Sequence, residues 1–499
     1  MAECNENIRN LLQTRVLEHS EKTFLISEAD GREFSYDAFL QHVNGTADLL
    51  SSHGIEKGDV VSLLLPNSAE YIVAYFACWT LGAIAGPINS LLKAEEIEWT
   101  LANSESKLVL VSSEFLPKLD GRNVPEQIVF DNVETVSALP EAELPSTELD
   151  AADDAVIIYT SGTTGKPKGC LLTHGNLVSN ARQIVEWLAF TESDRLLTVM
   201  PLFHMNAVSV TTMSALYAGG STVVSPKFSA SRLWDIIERY KITSFGSVAT
   251  MLSMLLAKAV DQRPRKLNSL RFAMCGSAPV PAEVLNRFEE TFNCLVVEGY
   301  GLSESTCRST FNPPTKDRRP GSCGLPIGNE MAVWDNKNNA VGDGELGEIV
   351  LRGPNIFRGY FKNPEATVKA FDGGWFHTGD IGYRDADGFY FIADRKSDMV
   401  IRGGENIYPR EIDEVLFTHP AVASAAAIGV PDELYGEEVE AFVVLREGQT
   451  ASEAELIDLC REHLADYKCP KRIHFLDEIP KGPTGKLLKR ELAKLRPTA

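Results

Sequence analysis

Ten consecutive residues, Thr160-Ser161-Gly162-Thr163-Thr164-Gly165-Lys166-Pro167-Lys168-Gly169, carry the densest chemistry in this chain. Glycines let backbone N–H groups approach phosphate oxygens, Ser and Thr hydroxyls donate further bonds, and lysine supplies positive charge. Together they are what binding of a polyphosphate needs. The segment is not the P-loop of nucleoside triphosphatases, in which Gly-Lys is followed by Ser or Thr, because Gly165-Lys166 is followed by Pro167. Taken alone, its plain alternative is a polar surface turn.

Further unusual segments follow in order: Gly276-Ser277-Ala278-Pro279, Glu298-Gly299-Tyr300-Gly301-Leu302-Ser303-Glu304, and His377-Thr378-Gly379-Asp380. After these come Asp394-Arg395-Lys396, Gly403-Gly404-Glu405-Asn406 and Pro483-Thr484-Gly485-Lys486. As a set they resemble the adenylate-forming superfamily of acyl- and aryl-CoA ligases, adenylation domains and luciferases, from about Phe34 to Lys486. The resemblance implies an α/β fold: a large N-terminal domain of layered sheets with a small β-barrel-like region, then a small mobile α+β domain. The boundary is expected between residues 394 and 395. The implied reaction is that of an acid–thiol ligase: acid, ATP and CoA give acyl-CoA, AMP and pyrophosphate, with Mg²⁺ as the metal.

A carboxylate is a poor electrophile because its leaving group would be oxide. Joining it to AMP as a mixed anhydride makes its carbonyl attackable, provided the protein aligns the reactants and offsets charge at the α-phosphate. Thr160, Ser161, Gly162, Thr163, Thr164, Gly165 and Lys168 would cradle the β- and γ-phosphates. The resemblance implies Tyr300 as the plate stacked on adenine, with Gly276, Ser277 and Ala278 on the other face. Glu298, Gly299 and Gly301 belong to the same nucleotide segment. Ser303 stands where Thr is commoner and would bond the α-phosphate, and Glu304 would serve Mg²⁺. Asp380 matches the carboxylate that accepts from the ribose hydroxyls, and Arg395 the arginine on ribose or phosphate. Lys486 matches the catalytic lysine that bridges carboxylate and α-phosphate. His204, in Pro201-Leu202-Phe203-His204-Met205-Asn206, matches the segment between the ATP and acyl sites, where an aromatic residue gates the acyl pocket.

Members of the superfamily then rotate the small domain, so that a glycine loop replaces the lysine. Gly403 and Gly404 would wall the CoA pantetheine tunnel. Ser397 stands at the hinge position, where Asp or Lys is usual. Acetate-restricted ligases carry Trp at the place of Gly301, so glycine predicts room for a longer or wider acid. Malonate-type ligases carry Arg immediately before the tyrosine, where this chain has Gly299. The other wall candidates, Val208, Val248 and Gly276, are small or apolar, while Arg308 could reach a polar acyl group. A short- to medium-chain, branched or carnitine-like carboxylic acid is the expected substrate. A stand-alone adenylation enzyme loading a separate carrier protein is one alternative, with Asp235 as a candidate for holding an ammonium group if it does not face solvent. A non-catalytic AMP or acyl-adenylate binder is another.

Elements must position these residues. Val156-Ile157-Ile158-Tyr159 reads as a buried strand leading into the phosphate loop. Residues 34–111 alternate helical patterns with apolar runs such as 60–65 and 108–111, which predicts βαβ units and a largely parallel sheet. A second α/β region is expected over 196–311, with strands at 221–224 and 295–297 and a helix at 230–239. Residues 342–391, rich in Gly, Asp, Phe and Tyr, predict a small barrel or antiparallel sheet. Beyond Arg395 come a helix at 409–418, strands at 421–428 and 440–445, and a helix at 451–464.

The chain has 499 residues, too many for one compact core. A net charge of −21 argues against binding nucleic acid or anionic lipid. Nine cysteines without a CxxC pair read as reduced thiols of a cytoplasmic protein. The N-terminus lacks an apolar signal region. Residues 71–88 are uncharged, but Gly82, Gly86 and Pro87 interrupt them, so a buried helix passing into a strand is expected instead of a membrane span. The sequence leaves a homodimer open.

Overall fold

Apolar runs bounded by turn residues become strands, and the helical patterns between them become crossovers, which gives parallel sheets covered by helices. The computed structural model describes residues 6–138, 147–160, 167–258, 268–276, 280, 282–481 and 487–495. Among the described residues four sheets organise the chain.

The first runs Gly359–Tyr360, Lys168–Thr173, Asp154–Thr160, Ile84–Pro87, Val60–Leu64, Leu108–Val111 and Glu126–Val129. Pairing is parallel from Asp154–Thr160 to Glu126–Val129. Lys168–Thr173 turns back antiparallel beside Asp154–Thr160. The second sheet has a parallel centre in the order Leu295–Tyr300, Phe272–Cys275, Ser244–Ser247, Arg195–Thr198, Ser221–Val224 and Thr23–Ser27. The expected strands at 60–65, 108–111, 221–224 and 295–297 all lie in these two sheets. The helix expected at 230–239 is Leu233–Tyr240.

Helix Ala69–Leu81 is buried at every residue, which is why its sequence lacks a polar face. Ser68 caps its start by accepting from Tyr71 N–H, and Gly82 ends it at φ 84°. Trp79 Nε1 donates to Ala155 O at 2.9 Å, pinning the helix to strand Asp154–Thr160. The chain then enters strand Ile84–Pro87. No helix among the described residues is long and apolar enough to cross a membrane.

Strands Glu330–Trp334, Gly347–Arg352, Trp375–Arg384, Phe371–Asp372 and Tyr390–Arg395 form an antiparallel sheet. The smaller C-terminal domain has its own apolar core around Val400, Ile412, Val439 and Leu456. Its longer helices are Pro409–Phe417 and Glu453–His463, and its long hairpin pairs Val422–Asp432 with Gly436–Leu445. The expected strands at 421–428 and 440–445 extend to meet in that hairpin.

Candidate active site

Thr160 closes its strand directly opposite Lys168, and its Oγ1 donates to Lys168 O at 3.5 Å. The segment expected to hold phosphates is therefore the connection between the two strands of a hairpin. Ser161, Gly162, Thr163, Thr164, Gly165 and Lys166 lie outside the described residues. At the base of that hairpin, Lys168 Nζ stands 5.0 Å from the Tyr360 ring centroid. Tyr360 Oη in turn donates to Glu304 Oε1 at 3.0 Å. Glu304 is buried, and burial pushes its carboxyl above the usual carboxylate range. Among the described residues no group of three His, Cys, Asp or Glu side chains could hold a metal by itself. A Mg²⁺ fits Glu304 in the way that ion usually binds, through one carboxylate with nucleotide phosphates and water completing its shell. Ser303 begins the short 3₁₀ turn Ser303–Ser305 beside it.

Tyr300 ends the strand Leu295–Tyr300, and its Oη donates to Asp380 Oδ2 at 2.6 Å. Arg395 Nε approaches the other oxygen, Asp380 Oδ1, at 3.1 Å. Asp380 and Arg395 face each other on adjacent antiparallel strands, so their side chains emerge on one side of the sheet. Burial, and then the charge of Asp380, hold the Tyr300 phenol well above its usual value, which keeps it a donor. Asp380 also holds the Arg395 guanidinium more firmly charged.

Tyr300, Asp380 and Arg395 line a cavity of about 1360 Å³. Glu298, Gly299 and Gly301 also line it, as do Pro201, Phe203 and Val248 of the large domain. Lys481, Leu487 and Lys489 line it from the C-terminal tail. Lys486 lies outside the described residues, but its neighbour Leu487 is at the cavity. The tail is tied down by charge: Lys489 Nζ lies 3.6 Å from Asp413 Oδ2 and 3.9 Å from Asp394 Oδ2. Arg410 N–H donates to that same Asp394 oxygen at 3.0 Å. Ser397 occupies an exposed turn between strands Tyr390–Arg395 and Val400–Arg402, with its Oγ donating to Asp398 Oδ1 at 3.0 Å.

Gly403 and Gly404 are brought to the surface instead of the cavity. They form the two-residue turn between Arg402 and Glu405, with φ of 60° and 94°, a conformation that glycine adopts without strain. His204 is not among the described residues lining the cavity; Phe203 takes that place, its ring centroid 4.6 Å from that of His204. Burial pushes the His204 imidazole down to about 4, so it is neutral at neutral pH, and its Nε2 has no partner among the described residues. Asp235 is exposed on its helix, away from any ammonium-binding role.

The glycines differ from expectation. A Cβ on Gly301 would stand 2.0 Å from Cys307 O, so the side-chain direction points into backbone and offers an acid no room. A Cβ on Gly299 would meet the Phe311 ring at 2.5 Å. A Cβ on Gly276 would meet the Arg308 guanidinium at 2.5 Å, so its side-chain direction is filled by that cation; Ser277 and Ala278 lie outside the described residues. Of the apolar wall candidates, Val248 lines the cavity, while Val208 is buried in the π-helical turn Asn206–Met213. Sequence reasoning missed Tyr360 and Lys489. Tyr360 reaches Glu304 across 56 residues of chain, a distance over which no spacing pattern operates.

Comparison with known proteins places these features in context. The chain matches the AMP-binding enzyme family over residues 12–361 and the AMP-binding enzyme C-terminal domain over residues 411–486. It is 37% identical over 475 residues to oxalate–CoA ligase of Arabidopsis thaliana, covering 89% of this chain and 90% of that one. It is 36% identical to sulfoacetate–CoA ligase of Cupriavidus necator, covering 98% of each. Among solved structures, o-succinylbenzoate coenzyme A synthetase from Bacillus subtilis in complex with ATP and magnesium ion superposes with a TM-score of 0.87 at 33% identity. That match covers 98% of this chain and 100% of the other.

Proposed function

The chain belongs to the AMP-binding enzyme family and is an acid–thiol ligase with ATP and CoA as co-substrates, and from that premise we propose how its residues divide the work on a small carboxylic acid. In the first half-reaction a carboxylate oxygen attacks the α-phosphorus of ATP and pyrophosphate leaves, giving an acyl-adenylate. In the second, the CoA thiol loses its proton and attacks the acyl carbon, and AMP leaves.

The observation that carries this reading is the Tyr300–Asp380–Arg395 arrangement on the cavity wall. An aromatic plate, a carboxylate with two acceptor oxygens and a guanidinium stand in the order of base, ribose and phosphate. Asp380 would accept from both ribose hydroxyls, with the Arg395 guanidinium beside it towards the phosphate. The hairpin from Thr160 to Lys168 would hold the β- and γ-phosphates. Glu304, kept in place by Tyr360, would hold Mg²⁺, which supplies charge neutralisation on the phosphates when it arrives with ATP. Lys486 would bring an ammonium to the developing charge. We assign residues 1–394 and 395–499 as the two domains, with Ser397 as pivot. His204, neutral and packed on Phe203, would line the approach to the acyl site without moving a proton. The relatives named for oxalate and sulfoacetate support a small acid.

The reading is tested by pyrophosphate release over a panel of acids with Mg²⁺, with and without CoA. Acid-dependent release is expected, with thioester formed when CoA is present. Glu304→Gln should lower turnover on the order of 100-fold, about 3 kcal/mol of transition-state stabilisation. Release without thioester from any acid would point to a carrier protein as acceptor, and an undiminished Glu304→Gln enzyme would make Glu304 structural.

A further inference from the structure

Directly behind the glycine wall of the cavity lies a buried cation. Arg308 is 2% exposed, yet its Nε has no hydrogen-bond partner among the described residues. Its guanidinium rests on the Phe311 ring, 5.3 Å from the centroid. A guanidinium withdrawn from water without a counter-charge is costly, so a fold that retains one has a use for it. Asn206 repeats the pattern: it is 6% exposed, and neither Nδ2 nor Oδ1 has a partner among the described residues. Buried polar groups left open in this way call for a ligand or solvent.

The sheet register brings the two together. Gly246 pairs with Met274 on the adjacent parallel strand, so a Cβ on Gly246 and one on Gly276 point to the same face. The first would lie 3.1 Å from Asn206 Oδ1 and the second 2.5 Å from Arg308 Nη1. Their anchor points are diagonal neighbours roughly 8 Å apart, from strand spacing and rise per residue. Arg308 and Asn206 are not themselves among the described residues lining the cavity, but the face they share adjoins it at two places. Val248, which follows the paired Ser247 and Cys275 and so stands opposite Gly276, lines the cavity. Gly301 lines it too, and a Cβ there would sit 2.9 Å from Arg308 Cα. The space beyond Gly299 is already filled by Phe311, the ring that supports the guanidinium.

We propose that Arg308, assisted by the Asn206 amide, anchors a second anionic group at the far end of the acid, so that the substrate is a small dicarboxylate or sulfocarboxylate. The proposal rests on the acyl-CoA ligase reading above. While one carboxylate reacts at the α-phosphate, the distal oxygens accept from the guanidinium in a bidentate pair and from Asn206 Nδ2. The same cation repels a trimethylammonium acid, which sets the carnitine-like class aside.

The test measures pyrophosphate release and thioester formation by the full-length enzyme on matched acids: succinate with butyrate, malonate with propionate, sulfoacetate with propionate, and a trimethylammonium acid. Wild type is expected to favour the dianion of each pair by about 100-fold in kcat/KM, because a site built for a polar group rejects an analogue lacking it. A lead by carboxylate or by sulfonate supports the assignment equally and identifies the group. Arg308→Met should collapse that ratio towards one, chiefly by raising KM for the dianion, and Arg308→Lys should restore part of it. Equal losses on both members of each pair would make Arg308 structural and overturn the proposal. Wild-type preference for monoanions or for the trimethylammonium acid overturns it without any variant, and leaves the ligase reading standing. No turnover on any acid overturns both.

Discussion

Glu298 sits on the cavity wall, 7% exposed, with Gly321 N–H donating to its Oε2 at 3.1 Å. Burial pushes its carboxyl up to about 8, against the opposing charges of Arg318 and Arg410. In the unfolded chain the same carboxyl ionises near 4.5. Between those values the folded protein holds a proton that the unfolded chain has released, so raising the pH through this window works against folding. The contribution approaches 1.4 kcal/mol per pH unit there. The melting temperature should fall as pH rises from 5 to 8. Glu298→Gln, which can still accept from Gly321, should flatten that fall. An unchanged slope in the variant would place the titration on another group.

At the scale of elements, the site depends on turns and close approaches that glycine permits. Gly301 runs so close to Cys307 and Arg308 that an added methyl must displace backbone. Gly301→Ala is therefore expected to cost at least about 1–3 kcal/mol of stability. Gly342→Ala, whose Cβ would meet nothing nearer than Glu345 at 3.6 Å, should stay within about 0.5 kcal/mol. Equal melting temperatures for the two variants would contradict the packing. The expectation that a bulky residue at 301 tunes acid length falls with it, because that side-chain direction does not open into the cavity. The π-helical turn Asn206–Met213 is a second device of this kind. Thr212 Oγ1 and Ser214 Oγ donate to carbonyls five residues back, Ala207 O at 3.0 Å and Ser209 O at 3.0 Å, which supports the wider turn. That turn starts at Asn206, beside the sheet face used by Arg308.

At the scale of the whole molecule, the tail and the glycine turn of the small domain occupy opposite situations. Lys481, Leu487 and Lys489 face the cavity, while Gly403 and Gly404 face solvent. That arrangement suits adenylation, and rotation about residue 397 would exchange the two. Lys486→Ala should lose acid-dependent pyrophosphate exchange by orders of magnitude, yet convert a preformed acyl-adenylate and CoA to thioester at nearly the normal rate. Gly404→Leu should do the reverse, with Gly404→Ala as the control for strain at its positive φ. Equal damage to both half-reactions by both variants would sink the alternation.

The sequence by itself determined the fold class and the order of its elements, because apolar periodicity and glycine punctuation act over a few residues. It also identified the residues now found together around the cavity, Tyr300, Asp380 and Arg395, because their local segments are distinctive. What only the tertiary structure decided is where side chains of distant segments meet. The Tyr360–Glu304 bond, the Phe311 ring filling the space beyond Gly299 and the buried guanidinium of Arg308 behind Gly276 are products of strand register and crossover. A glycine in a sequence says that a side chain is missing. Whether its place is taken by a ligand, a backbone carbonyl or another residue's cation depends on what the fold packs against it, and no spacing along the chain encodes that.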